Sequence, residues 1–69
     1  MTQKELLYIE DAIGHEKTII SVIDSTIEQL EDEDLVTFMK GEKKNHQRIE
    51  KDLKSLLEEI KNEWSNIIR

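Results

Sequence analysis

Between Leu6 and Leu30 the apolar side chains recur at steps of three and four, at Leu6, Ile9, Ile13, Ile20, Ile23, Ile27 and Leu30. That spacing keeps one side of an α-helix turned inward and cannot serve a strand, whose side chains alternate between two faces. One position of this seam is not apolar, and Glu16 fills it. Leu7, Ala12, Ile19 and Val22 lie beside the seam and widen it beyond the narrow strip of a two-stranded coiled coil. Each helix is therefore expected to touch more than one neighbour. Thr2 followed by Glu5 reads as a capping box at the start of the helix.

At Glu31-Asp32-Glu33-Asp34 the phase of the stripe breaks. Continuing the first seam by sevens would place Asp34, Thr37, Gly41, Lys44 and Arg48 in a core. A second frame fits better: Leu35, Met39, Ile49, Leu53, Leu56, Ile60 and Ile67. Asp32 suits the cap of a second helix, with further acids at its positive end. These signals predict an all-α, two-helix antiparallel hairpin forming one domain over 1–69. Its parts are a helix over about 3–30, an acidic turn over about 31–34 and a helix over about 35–67. A single long helical rod is the alternative, because neither Gly nor Pro marks the turn.

A chain of 69 residues buries too little surface to be comfortable alone. It has no cysteine, so disulfides and thiolate metal sites are excluded, and it has no proline and only two glycines. Oligomerisation is the remaining support. Two hairpins packed as a homodimer would form a four-helix bundle and cover the rest of each wide stripe. Trp64, Tyr8 and Phe38 stand at or beside stripe positions and are expected to pack there. Gly14 and Gly41 fall inside helices, where they either admit a close neighbour or a bend, or are tolerated on the surface. No apolar run approaches about 18 residues, and the first residues carry acids where a signal peptide would be apolar, so a soluble, cytoplasmic protein without a membrane role is expected.

Residues 1–39 hold two basic and ten acidic side chains, and residues 40–69 hold eight and six. The first half is thus acidic and the second mixed to basic, which favours packing one kind of helix against the other. Lys40, Lys43, Lys44, Arg48, Lys51 and Lys54 give the second helix a basic side that could grip RNA. An overall pI of 4.8 and interspersed acids count against nucleic acid.

The stretch KGEKKNHQR, Lys40 to Arg48, interrupts the second apolar pattern. Carrying the second frame through it places Glu42 and His46 at seam positions, the same kind of position that Glu16 holds on the first helix. Ionisable groups on inward faces must find partners. They can satisfy one another in a hydrated or salt-bridged layer, or hold a metal. Glu42, His46 and Glu50 are spaced by fours along one side of a helix, and carboxylate with imidazole suits zinc, iron or manganese. Geometry counts against a site within one hairpin. For a tight turn near residue 33, facing positions total about 65, which sets His46 opposite Ile19 and Glu16 opposite Ile49 and Glu50.

The run AIGHEKTIISVIDS followed by EDEDLVTFMKGEKKNHQRIEKDLKSLL resembles one helix pair of the ferritin-like superfamily, in the style of rubrerythrins and ferritin-like spore-coat proteins. There an Ala-apolar-x-x-Glu helix is followed by an acidic turn and a helix carrying Glu-x-x-His. The resemblance spans about residues 6–57. It implies that Glu16 matches the first-helix carboxylate and His46 the motif histidine. Lys43 stands where the motif carboxylate would be, with Glu42 one position early. The resemblance thus implies a half-length ferritin-like hairpin with a degenerate metal site, and the lysine opposes an oxidative or iron-storing role.

The expected protein is a small, non-enzymatic structural or protein-interaction module, homodimeric and without a cofactor. A metal-binding half-domain using Glu16, Glu42, His46 and Glu50 is the alternative, and an RNA-binding hairpin dimer the second alternative.

Overall fold

The structure, a computed structural model, describes residues 2–68 of the chain. Two helices make up the fold, α1 over Gln3–Gln29 and α2 over Glu33–Ile68, and they pack side by side as a hairpin. The molecule is a rod of 55 × 16 × 13 Å.

α1 starts where its cap chemistry dictates. The Thr2 hydroxyl oxygen accepts from the Glu5 backbone N–H at 3.1 Å, and the Glu5 carboxylate accepts from the Thr2 backbone N–H at 3.1 Å. Two amides that the helix cannot satisfy internally are thereby paired. At the other end Leu30 turns extended, with φ −87° and ψ 137°, and its N–H donates to the Ile27 carbonyl at 3.2 Å. Asp32 then caps α2. Its Oδ1 accepts from the backbone N–H groups of Asp34 at 2.8 Å and Leu35 at 3.1 Å. Glu33 and Asp34 occupy the first turn of α2, where its partial positive charge favours acids. The connection is accordingly residues 30–32, shorter and earlier than the acidic turn over 31–34 that the charges imply.

The α1 seam has the predicted composition. Ile13 and Ile23 are buried, and Leu6, Ile9, Glu16, Ile20, Ile27 and Leu30 are half-buried. The α2 seam differs from expectation. Its inward side is Val36, Met39, Lys43, His46, Glu50, Leu53, Leu57 and Ile60, with Ile60 buried and the rest half-buried. Met39, His46, Leu53 and Ile60 hold their predicted places, but Leu35, Ile49 and Leu56 are exposed on one flank. Glu42 lies on the same flank and is half-buried. The helix is rotated by one position relative to the frame richest in apolar residues. The three-residue connection fixes that rotation, and Lys43 is accommodated because its stem lies in the seam while its ammonium leaves it. The Ile67 side chain, assigned to this seam from sequence, lies outside the described residues.

The aromatics do not pack within the chain as predicted: Tyr8 and Phe38 are well exposed and Trp64 is partly so. A Cβ added at Gly14 or Gly41 would meet no atom within 4 Å. Neither glycine is needed for a close approach in the hairpin, and both are simply tolerated on its surface. Among the described residues, no helix is long and apolar enough to cross a membrane.

Candidate functional site

Three successive α2 seam positions, Lys43, His46 and Glu50, are ionisable and interrupt an otherwise apolar line. Each is held differently. His46 Nδ1 lies 2.6 Å from Glu16 Oε2, joining the middle of α2 to the middle of α1. A carboxylate can only accept, so the Nδ1–H donates and fixes the orientation of the ring. The two side chains keep 25% and 15% of their exposure, so the bond is shielded on its helix-facing side yet reachable by water.

This contact corrects the expected register. The chain turns at residue 31, not near 33, so facing positions total about 62 and Glu16 meets His46 directly. His46 does not stand opposite Ile19.

One turn toward the bend, Lys43 Nζ lies 2.7 Å from Asp24 Oδ1. The ammonium reaches along α1 to a residue at the edge of the seam, which removes Lys43 from the basic side assigned to it in sequence. One turn the other way, the Glu50 carboxylate lies 3.7 Å from Lys54 Nζ on its own helix. Among the described residues, no buried side-chain nitrogen or oxygen lacks a hydrogen-bond partner. The layer is satisfied within the chain.

Of the four candidate ligands the structure brings together Glu16 and His46. Glu50 is turned toward Lys54, and Glu42 sits on the flank. Among the described residues, no group of three His, Cys, Asp or Glu could hold a metal ion. Chemically the layer is a fastening: it sets the register of α2 on α1 with one hydrogen bond and one ion pair between the helices, Glu16–His46 and Asp24–Lys43. The seven-residue spacing of Val36, Lys43, Glu50 and Leu57 is the signal that would have located it. It is easily overlooked because two of its four members are charged.

The two broad faces of the hairpin are chemically unlike. Ala12, Ile19 and Thr26 each precede an α1 seam residue, and Leu35, Glu42, Ile49 and Leu56 each precede an α2 seam residue. In an antiparallel pair of right-handed helices, flanks displaced in the same sense lie on the same face. Tyr8, Val22 and Phe38, one step further round, border it. On the opposite face α2 contributes Lys40, Lys44, Gln47, Lys51, Lys54 and Lys61, and α1 contributes Glu10, Lys17 and Asp24. The first face gathers most of the exposed apolar side chains, with Glu42 among them and Glu5, His15, Asn45, Asp52 and Glu59 at its borders, and the second is charged. Small side chains on the outer side of α1 also leave a furrow of about 400 Å³ among Thr18, Ser21, Val22, Ser25, Thr26 and Gln29.

No protein-family model matches the chain, and no curated protein and no solved structure matches it.

Proposed function

We propose that this chain is a non-enzymatic structural or protein-interaction module that works as a homodimer, two hairpins joined in a four-helix bundle. The observation that carries this reading is the area left uncovered. The chain exposes 5599 Å². A folded monomer of its mass, 8.2 kDa, is expected to expose about 4,500 Å². The difference, on the order of 1,000 Å², is comparable with the roughly 800 Å² that each partner contributes to a standard stable interface. Among the described residues, only Ile13, Ile23 and Ile60 are buried hydrophobic side chains, which is a thin core for an independent domain.

The polar layer supports a structural role, since its charged groups are engaged with one another and present no convergent site. The half-length ferritin-like likeness is compatible with the same reading, because a hairpin of that kind supplies half of a bundle.

A native mass spectrum and a sedimentation run over a range of concentrations test it. A dimer is expected at micromolar concentration and above, with helicity and melting temperature that rise with concentration as coupled folding and association require. A monomer at all concentrations, melting independently of concentration, would overturn it.

A further inference from the structure

We infer that the apolar face of the hairpin is the dimer interface, and that the second copy lies on it with its bend at the same end of the bundle. This rests on the homodimer reading above and adds which face associates and in which direction.

Among the described residues, seven of the nine large exposed hydrophobic side chains, Tyr8, Ile19, Val22, Leu35, Phe38, Ile49 and Leu56, belong to or border one face. The two exceptions are Leu7, on the other side of α1, and Trp64, near the end of α2. A monomer scatters such residues; gathering them on one side marks a surface meant to be covered. The opposite face carries charge and would have to desolvate it on association.

The direction is that of a two-fold axis parallel to the helices, chosen because it brings Phe38 of one copy nearly level with Val22 of the other. A two-fold axis parallel to the helices moves no residue up or down, so α1 of one copy runs antiparallel to α2 of the other in the same register as within a chain. Facing positions again total about 62, the value set by the Glu16–His46 contact. Phe38 of the second copy then stands level with Asp24, midway along the furrow bounded by Thr18 and Gln29 and beside Val22. Phe38 is 63% exposed in the single chain, the highest value among the large hydrophobic side chains of the described residues. The near edge of the furrow, where Val22, Thr26 and Gln29 border this face, offers such a ring a place to pack. The same register sets Leu35 of the second copy beside Thr26, Ile49 beside Ala12 and Leu56 near Tyr8. By two-fold symmetry each pairing occurs twice.

Acidic residues of the face oppose association: Glu5, Asp52 and Glu59 stand on its borders and Glu42 on its central line. Glu42 interrupts the line Leu35, Ile49, Leu56 and has no ion pair within the chain among the described residues. In the dimer it comes beside Ile19 of the other copy, so replacing it with leucine should strengthen the dimer.

The chain has no cysteine, so single-cysteine variants give an unambiguous test. Val22→Cys and Phe38→Cys are mixed in equal amounts, unfolded, refolded together and oxidised, and the products are weighed. Because each chain carries one thiol, no link can form within a chain. The expected product is the mixed dimer, since the two positions differ by about two residues in height and a disulfide needs Cα atoms within about 7 Å. If the wild type is dimeric but only 22–22 or 38–38 links form, or none, the face and direction are wrong while the homodimer reading stands. If the wild type is monomeric, both fall.

Surface variants give an independent check on the wild-type chain. Ile49→Asp is expected to weaken dimerisation at least about tenfold, and Glu42→Leu to strengthen it about tenfold. Leu7→Asp, on the other side of α1, should leave the dissociation constant unchanged. Equal effects of Ile49→Asp and Leu7→Asp would overturn the assignment of the face.

Discussion

His46 Nδ1 and Glu16 Oε2, thirty residues apart in the chain, meet at 2.6 Å and fix the height of α2 against α1. Neither group is fully buried, so removing one leaves the other partly able to turn to water. His46→Leu or Glu16→Leu alone should cost about 1–2 kcal/mol, the penalty of a half-shielded polar group losing its partner. Glu16→Leu with His46→Leu should recover most of that loss or exceed the wild type, because an apolar pair completes the seam. Urea unfolding of the four proteins measures the coupling, and strictly additive losses would show that the contact has no energetic weight.

A second prediction concerns Glu5. The hydrogen bond from the Thr2 backbone N–H, and then that from the Thr2 hydroxyl, hold the Glu5 carboxyl below its ordinary value. A carboxyl with a depressed folded-state pKa stabilises the fold above its unfolded pKa, and this contribution disappears as pH falls through the folded value. The first turn of α1 should therefore fray on acidification below the usual carboxylate range. An NMR titration of Glu5 should show a midpoint below that of an unstructured peptide, and Thr2→Ala should raise it. An unmoved midpoint in Thr2→Ala would refute the Thr2 hydroxyl as a contributor to it.

Gly14 and Gly41 offer a third test. Each lies inside a helix with open space where a Cβ would go. Gly14→Ala and Gly41→Ala should each stabilise the protein by about 1 kcal/mol through helix propensity alone. Thermal or urea unfolding reads this directly. A loss of stability at either position would mean that a neighbour outside the single chain comes close there.

Lys43 and Asp24 give the fourth. Their ion pair at 2.7 Å is largely open to solvent, so Asp24→Asn should cost under about 1 kcal/mol and the cost should shrink with added salt. Lys43→Leu should instead stabilise the hairpin, since it places an apolar side chain between Met39 and His46 in the seam. Destabilisation by Lys43→Leu would show that the ammonium, and not its stem, is what the seam needs.

Much of this architecture is legible in the residues. The α1 seam, the Thr2–Glu5 box, the Asp32 cap and the hairpin itself all follow from local patterns whose physics is complete within a few residues. The rotation of α2 is not of that kind. Its apolar stripe is wide enough to admit two frames one residue apart, and the choice between Leu35-Glu42-Ile49-Leu56 and Val36-Lys43-Glu50-Leu57 is made by the geometry of a three-residue connection. The same few residues decide whether Glu16 faces His46 or Ile49. Side-chain chemistry adds to the ambiguity, because lysine in a seam looks wrong to any apolar count yet is tolerated when its ammonium reaches an aspartate.

The bend itself has a further property. Among the described residues no backbone angle lies in the left-handed region. The reversal of direction demands no glycine and no strained residue. Its geometry is written in one carboxylate, Asp32, and in the extended path of Leu30. A bend of this sort is open to sequence drift at Glu31, and it is the natural place to splice in a peptide tag or a longer connector while both arms stay as they are.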